Sequence, residues 1–212
     1  MSTRSLAILY ALFIASALAF IALLSLAPYP GDVVLKVVPI LCLLIAVVWA
    51  GTDRYRLVVA AALVFCGIGD VTLEMGLFTA GLSAFLIGHL FYLAVFCRSL
   101  RFDLSSAVAV GALLLYCTLL IRHLQPHLGD MAVPVYLYML VIMAMAAAAI
   151  AGRRNHLLVG LGAVLFVLSD SLIALNRFAE PIPGARYWIM ALYYSAQFLL
   201  TTDARSRARP GQ

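Results

Sequence analysis

Apolar runs long enough to cross a membrane recur eight times along this chain, and each is closed by a cluster of breaking or charged residues. A bilayer core about 30 Å thick is crossed by roughly 20 residues of helix, and lipid offers the backbone no hydrogen-bonding partner. The repeating pattern therefore predicts an all-α, polytopic membrane protein. Transmembrane helices are expected near 6–27, 33–50, 57–77, 80–98, 104–124, 131–151, 156–176 and 185–202, forming one eight-helix domain over residues 1–212. The breaks have physical causes: Pro28, Pro30 and Gly31; Gly51 to Arg54; Arg101 to Asp103; Pro126 with Gly129; Gly152 to Asn155; and Pro181, Pro183 and Gly184. The weakest break is Gly76 to Gly81, which demands a tight turn. Only 11% of the residues are charged, against about 25% in soluble domains. With a mean hydropathy of +1.09, this leaves no room for a large aqueous domain. The run from Leu6 to Ala27 is too long for a signal-peptide core and is expected to be an uncleaved first helix.

Topology follows from the basic residues. With eight helices, Arg4, Arg54, Arg56, Arg98, Arg101, Arg153, Arg154, Arg205, Arg207 and Arg209 fall on one side, ten in all, and Lys36, Arg122, Arg177 and Arg186 on the other. The bias puts both termini in the cytoplasm, with the Arg-rich tail after Thr202 solvated near anionic headgroups. The net charge of +5 is thus a mark of membrane orientation, and no nucleic-acid face is expected. Cys42, Cys66, Cys97 and Cys117 all lie in apolar runs without a CxxC and read as small buried hydrophobes.

Leu63–Phe78 (LVFCGIGDVTLEMGLF) echoes Ala163–Phe178 (AVLFVLSDSLIALNRF), with Asp70 over Asp170 and each followed eight residues later by Phe. Two four-helix repeats related by an axis along the membrane normal are one reading of this echo, and shared apolar composition is the other.

Ionisable residues inside spans are costly and mark function by default. Here they are Asp70, Glu74, His89 and Asp170, with the amide Gln197. Asp70 and Asp170 are expected at equal depth on parallel helices, about 10 Å below the non-cytoplasmic ends. A facing pair of carboxyls in low dielectric holds one proton between them and so offers an acid and a base; separate structural hydrogen bonds are the alternative. Ser169 and Thr72 stand ready to bond these carboxyls. His89 is either an acid–base group or ligand or a brace between helices, Gln197 either a substrate- or water-orienting group or an interhelical bond. Glu74, one turn above Asp70, either extends the site or faces water. Gly67, Gly69, Gly81 and Gly88 permit close helix approach. His123 and His127 flank Pro126 in a loop and make a poor metal site, and no P-loop, nucleophile elbow or HExxH is present.

Gly69-Asp70, Phe85-Leu86-Ile87-Gly88-His89-Leu90-Phe91-Tyr92, Ser169-Asp170 and Tyr193-Tyr194-Ser195-Ala196-Gln197, in that order, resemble the YhhN family of membrane proteins over essentially the whole chain. Lys36-Val37-Val38-Pro39 is a looser match to that family's early Lys-Pro element, which leaves the role of Lys36 open. The resemblance implies a lysoplasmalogenase: hydrolysis of the vinyl ether of an alkenyl lysophospholipid to a fatty aldehyde and glycerophosphocholine or glycerophosphoethanolamine. It also implies Asp70 and Asp170 as the catalytic pair. His89, Tyr92, Glu74, Tyr193, Tyr194, Gln197 and Ser169 would support them or bind substrate. The scheme calls for no metal and no cofactor. The partners would be the lysophospholipid and the surrounding membrane lipids, and the location a bacterial inner membrane. A proton-coupled small-molecule or lipid transporter is the rival reading, because paired aspartates also relay protons. A metal-dependent hydrolase of the ceramidase-like type ranks last, since only His89 is an intramembrane histidine.

Overall fold

The computed structural model describes residues 3–100, 103–152 and 157–206. Among these the chain is helical nearly throughout, in the order α1 (Thr3–Leu23), α2 (Asp32–Ala50), α3 (Arg54–Glu74), α4 (Phe78–Phe96), α5 (Leu104–Leu124), α6 (Ala132–Ala151), α7 (Leu157–Ala174), α8 (Ala185–Leu200) and α9 (Thr202–Ser206). Short 3₁₀ turns extend α1, α4 and α5, and a π-helical turn, Leu175–Ala179, continues α7. Seven helices among the described residues are long and apolar enough to cross a membrane. The eighth expected span, α8, has 16 residues, which at 1.5 Å per residue is about 24 Å, short of a ~30 Å hydrocarbon core. The chain is a multi-pass membrane protein.

The predicted breakers end the helices. Gly51 and Gly76 adopt positive φ after α2 and α3, and the α3–α4 turn takes only Met75 to Leu77. Asp53 caps α3 by accepting from the Tyr55 and Arg56 amides. Asp103 caps α5 in a reciprocal box with Ser106. Both are the side-chain acceptors that a helix N-terminus requires.

Backbone contacts divide the chain into two compact units: residues 1–95 with 201–212, and residues 96–200. The first holds α1 to α4 and α9. In it α2 packs on α1 and α3, and α9 docks on α2 and α3. Its fully buried side chains include Phe20, Ile40, Leu43, Leu63 and Tyr92. The second holds α5 to α8, with α7 against α8 as its most extensive contact and α6 packed on α5 and α7. Leu124, Ile142, Met145, Phe166 and Leu200 are fully buried there. The echoing segments fall one in each unit.

Three expectations need correction. The tail does not begin as a solvated end: Thr201, Asp203 and Ala204 are buried, and Arg56 Nε donates to the Ala204 carbonyl at 2.8 Å. Arg56, counted above as an orienting surface charge, is itself 2% exposed and also bonds Asp53. Cys97 is exposed, whereas Cys42, Cys66 and Cys117 are buried. Arg101, Arg153, Arg154, Arg207 and Arg209 lie outside the described residues.

Candidate functional site

Asp70 sits on α3, four residues before the helix ends at Glu74, and is 2% exposed. The same helix lies close to α4. A Cβ on Gly69 would stand 2.6 Å from the Phe85 ring, and one on Gly88 would stand 3.0 Å from Cys66 Sγ and 3.2 Å from the Ala62 carbonyl. Small residues at these positions let the two helices approach. From α2, Lys36 reaches across to α3: its Nζ donates to Glu74 Oε2 at 3.0 Å and lies 4.0 Å from Asp70 Oδ1. Side-chain exposure at Lys36, Asp70 and Glu74 is 8%, 3% and 11%. Two carboxyls one turn apart therefore share a buried ammonium. Glu74 belongs to this cluster and not to a water-facing rim. Lys36, counted with the charges of the non-cytoplasmic side, lies in the second turn of α2.

In the second unit Asp170 sits on α7, four residues before its α-helical end at Ala174, and is half-buried. Its partner is a neutral hydroxyl: Tyr138 of α6 donates to Asp170 Oδ2. Beyond Ala174 the helix widens into the π turn, a distortion frequent at functional sites. Asn176 within it accepts from the Ile182 amide at 2.8 Å and ties down the link to α8. On α8, Tyr193, Tyr194 and Gln197 are 3%, 3% and 0% exposed. Tyr193 packs edge-on against Phe166 of α7 with centroids 5.4 Å apart, and Gln197 Nε2 donates to the Tyr193 hydroxyl at 3.4 Å. Gly162 makes the α7–α8 crossing tight, since a Cβ there would meet Leu199 Cβ and the Leu200 amide nitrogen at 2.8 Å.

The neighbours of the aspartates correct one expectation. Ser169 donates to the Ile189 carbonyl at 3.1 Å, which bonds α7 to α8, and Thr72 donates back to the Ile68 and Gly69 carbonyls. Neither hydroxyl donates to a carboxyl. His89 and Tyr92 of α4 are both 0% exposed, one turn apart on one face. Among the described residues no three His, Cys, Asp or Glu side chains come together as a metal site.

The sequence profile of the YhhN family matches residues 31–204. The chain belongs to the YhhN family. Its relatives include the human lysoplasmalogenase TMEM86B, 36% identical over 80% of this chain and 73% of its own length. The bovine lysoplasmalogenase TMEM86A is 32% identical over 83% and 79%. A lysoplasmalogenase of Mycobacterium bovis is 31% identical over 71% of this chain and 60% of its own length. No solved structure matches. The four YhhN-like motifs lie on α3, α4, α7 and α8.

Two residues of these clusters escape a reading of the sequence. Lys36 had a signal, a lysine in the apolar run of the expected 33–50 span, but it reads there as an orienting charge with its role left open. Tyr138 had none beyond being a tyrosine in the apolar α6, because its bond to Asp170 joins residues 32 positions apart.

Proposed function

We propose that this YhhN-family chain is a membrane-embedded ether-lipid hydrolase of the lysoplasmalogenase type. Its substrate in this reading is an alkenyl lysophospholipid, and its products are a fatty aldehyde and glycerophosphocholine or glycerophosphoethanolamine. Identity of 31–37% to relatives named lysoplasmalogenase, over most of the chain, is the observation that carries the reading. The intramembrane carboxyls supply matching chemistry. The eight helices act as one transmembrane domain in a bacterial inner membrane, with both termini cytoplasmic as the charge bias suggests.

In this scheme Asp70 and Asp170 are the acid–base pair. A protonated carboxyl delivers its proton to the β-carbon of the vinyl ether, and an oxocarbenium ion forms. A carboxylate stabilises that cation and takes a proton from the water that adds to the α-carbon. The resulting hemiacetal collapses: the carbon–oxygen bond to glycerol breaks, the hemiacetal hydroxyl gives up its proton to become the aldehyde carbonyl, and the departing glycerol oxygen gains a proton. The proton consumed in the first step is returned by the water, so the cycle balances. His89, Tyr92, Tyr193, Tyr194 and Gln197 shape or bind substrate around these groups, and Glu74 and Ser169 support them. An apolar groove of about 320 Å³ between α2 and α3, lined by Val37, Ile40, Gly67, Ile68 and Val71, is suited to a hydrocarbon chain.

The test is direct. Purified protein in detergent, given a 1-alkenyl lysophospholipid, releases aldehyde, while the 1-acyl counterpart yields none. Asp70→Asn and Asp170→Asn each lower release by at least about 100-fold. Aldehyde production by neither wild type nor lipid-reconstituted protein, across choline and ethanolamine headgroups, would remove the hydrolase reading.

A further inference from the structure

Lys36 is the unexpected member of the Asp70 cluster. A lysine one turn inside a membrane-spanning helix normally turns its ammonium outward to the interface, where water solvates it. Lys36 does the opposite: its side chain is 8% exposed, and its ammonium is aimed across the α2–α3 seam at carboxyls on the neighbouring helix. Membrane orientation does not call for this arrangement, because a charge that marks the side of the membrane works best in the interface. Helix packing alone does not call for it either, since an aliphatic side chain would fill the same seam without desolvating a cation.

The geometry is specific. Asp70 and Glu74 are four residues apart on α3, so their side chains project from one face, one turn above the other. Lys36 Nζ takes Glu74 as its hydrogen-bonded partner at 3.0 Å and stands 4.0 Å from Asp70 Oδ1, in ion-pair range. An ammonium has three donors, and one of them is given to Glu74. Lys36 thereby ties one carboxyl firmly and lies beside the second. This places a positive charge next to Asp70. The Asp170 cluster contains the converse, a neutral Tyr138 hydroxyl bonded to the carboxyl.

We propose that Lys36 is a positioning residue for Asp70, acting with Glu74 as its anchor, in the hydrolytic reaction. The inference rests on the hydrolase reading given above. Lys36 touches no reacting atom in it; it holds Asp70 in the geometry and electrostatic setting that the chemistry uses.

Three variants test this: Lys36→Met, which keeps length and loses charge; Lys36→Arg, which keeps charge; and Glu74→Gln, which weakens the anchor. Lys36→Met is expected to lower kcat at least tenfold with KM changed less than twofold. Lys36→Arg is expected to recover most of that loss, and Glu74→Gln to fall between. In an Asp70→Asn background, Lys36→Met is expected to add no further loss. Rates are taken per folded molecule from melting curves in detergent, which removes any simple loss of fold. Wild-type kcat in Lys36→Met, or a Lys36→Met loss that persists undiminished beside Asp70→Asn, overturns the proposal. Equal losses in Lys36→Met and Lys36→Arg also overturn it. An infrared reading of the carboxyl bands works without turnover: the band removed by Asp70→Asn is expected to shift in Lys36→Met. Wild-type protein that releases no aldehyde refutes the hydrolase reading, and an unshifted Asp70 band then refutes the role of Lys36 as well. Active wild type with an unaffected Lys36→Met refutes the role of Lys36 alone.

Discussion

Asp70 and Asp170 occupy corresponding places in the two units, each four residues before the α-helical end, yet their surroundings differ. Asp70 is almost fully buried beside an ammonium and a second carboxyl. Asp170 is half-buried against a phenol, and its helix continues through a π turn. A charged partner acts on a carboxyl through the field, over several ångströms and in either rotamer. A hydroxyl acts only through a short, directional bond. Two aspartates in similar sequence contexts are thus held by different physics, and a division of labour between acid and base has a structural starting point.

The sharpest break in the comparison is the loss of either carboxyl. Asp70→Asn and Asp170→Asn are each expected to lower aldehyde release by at least about 100-fold, the lower end of what a positioned acid or base supplies. Equal losses make the two equally necessary; near-wild-type turnover in either variant removes that residue from the chemistry. Next in size is Tyr138→Phe, which deletes the hydroxyl and keeps the ring. A hydrogen bond to a carboxylate is worth roughly 1.5–3 kcal/mol, so kcat is expected to drop about tenfold, the equivalent of ~1.4 kcal/mol. The loss should vanish in an Asp170→Asn background and persist in an Asp70→Asn background, as measured on the residual rates.

The helix crossings next to the two aspartates also differ. At Gly162 an added methyl meets the backbone of α8, while at Gly69 it meets only the Phe85 ring, which can turn aside. Gly162→Ala is therefore expected to cost about 1–3 kcal/mol and Gly69→Ala less, as read from thermal melting in detergent. The smallest effect concerns the caps. Burial alone would raise the Asp53 carboxyl, but hydrogen bonds from the Arg56 side chain and the Arg56 and Tyr55 amides, with the Arg56 charge, hold it below its usual range. A carboxyl depressed on folding contributes stability above its unfolded value of about 3.9 and loses it as pH falls through the lower folded value. Asp53→Asn should therefore lower the melting temperature slightly at neutral pH, with the difference fading in strong acid. Asp103→Asn, where the cap involves Ser106 and not an arginine, should change little, since Asn caps nearly as well as Asp.

Much of the fold is legible one residue at a time. Apolar runs predict spans because lipid leaves the backbone no other solution. Gly51, Gly76 and the prolines of the linkers (Pro28, Pro30, Pro181, Pro183) break helices for local steric reasons, while Pro39 is accommodated inside α2. Hence α2 to α7 begin and end within a few residues of expectation, and Asp70 and Asp170 stand out by cost alone. Glu74 is placed only by its partner, because one helical turn of sequence is equally consistent with a rim and with a buried cluster. The same holds for Arg56, whose charge reads as an orienting surface residue until Ala204 is found beside it.

The sequence by itself determined the solvent, the order of the apolar helices, the motif order of the family and the two intramembrane aspartates, since each depends on local length, composition or desolvation cost. Tertiary structure alone decided the partners: Lys36 for Asp70 and Glu74, Tyr138 for Asp170, Ile189 for Ser169 and Ala204 for Arg56. These pairings join residues 20 to 148 positions apart. Periodicity shows which face of a helix is polar. Only the packing of one helix against another shows which polar group it meets.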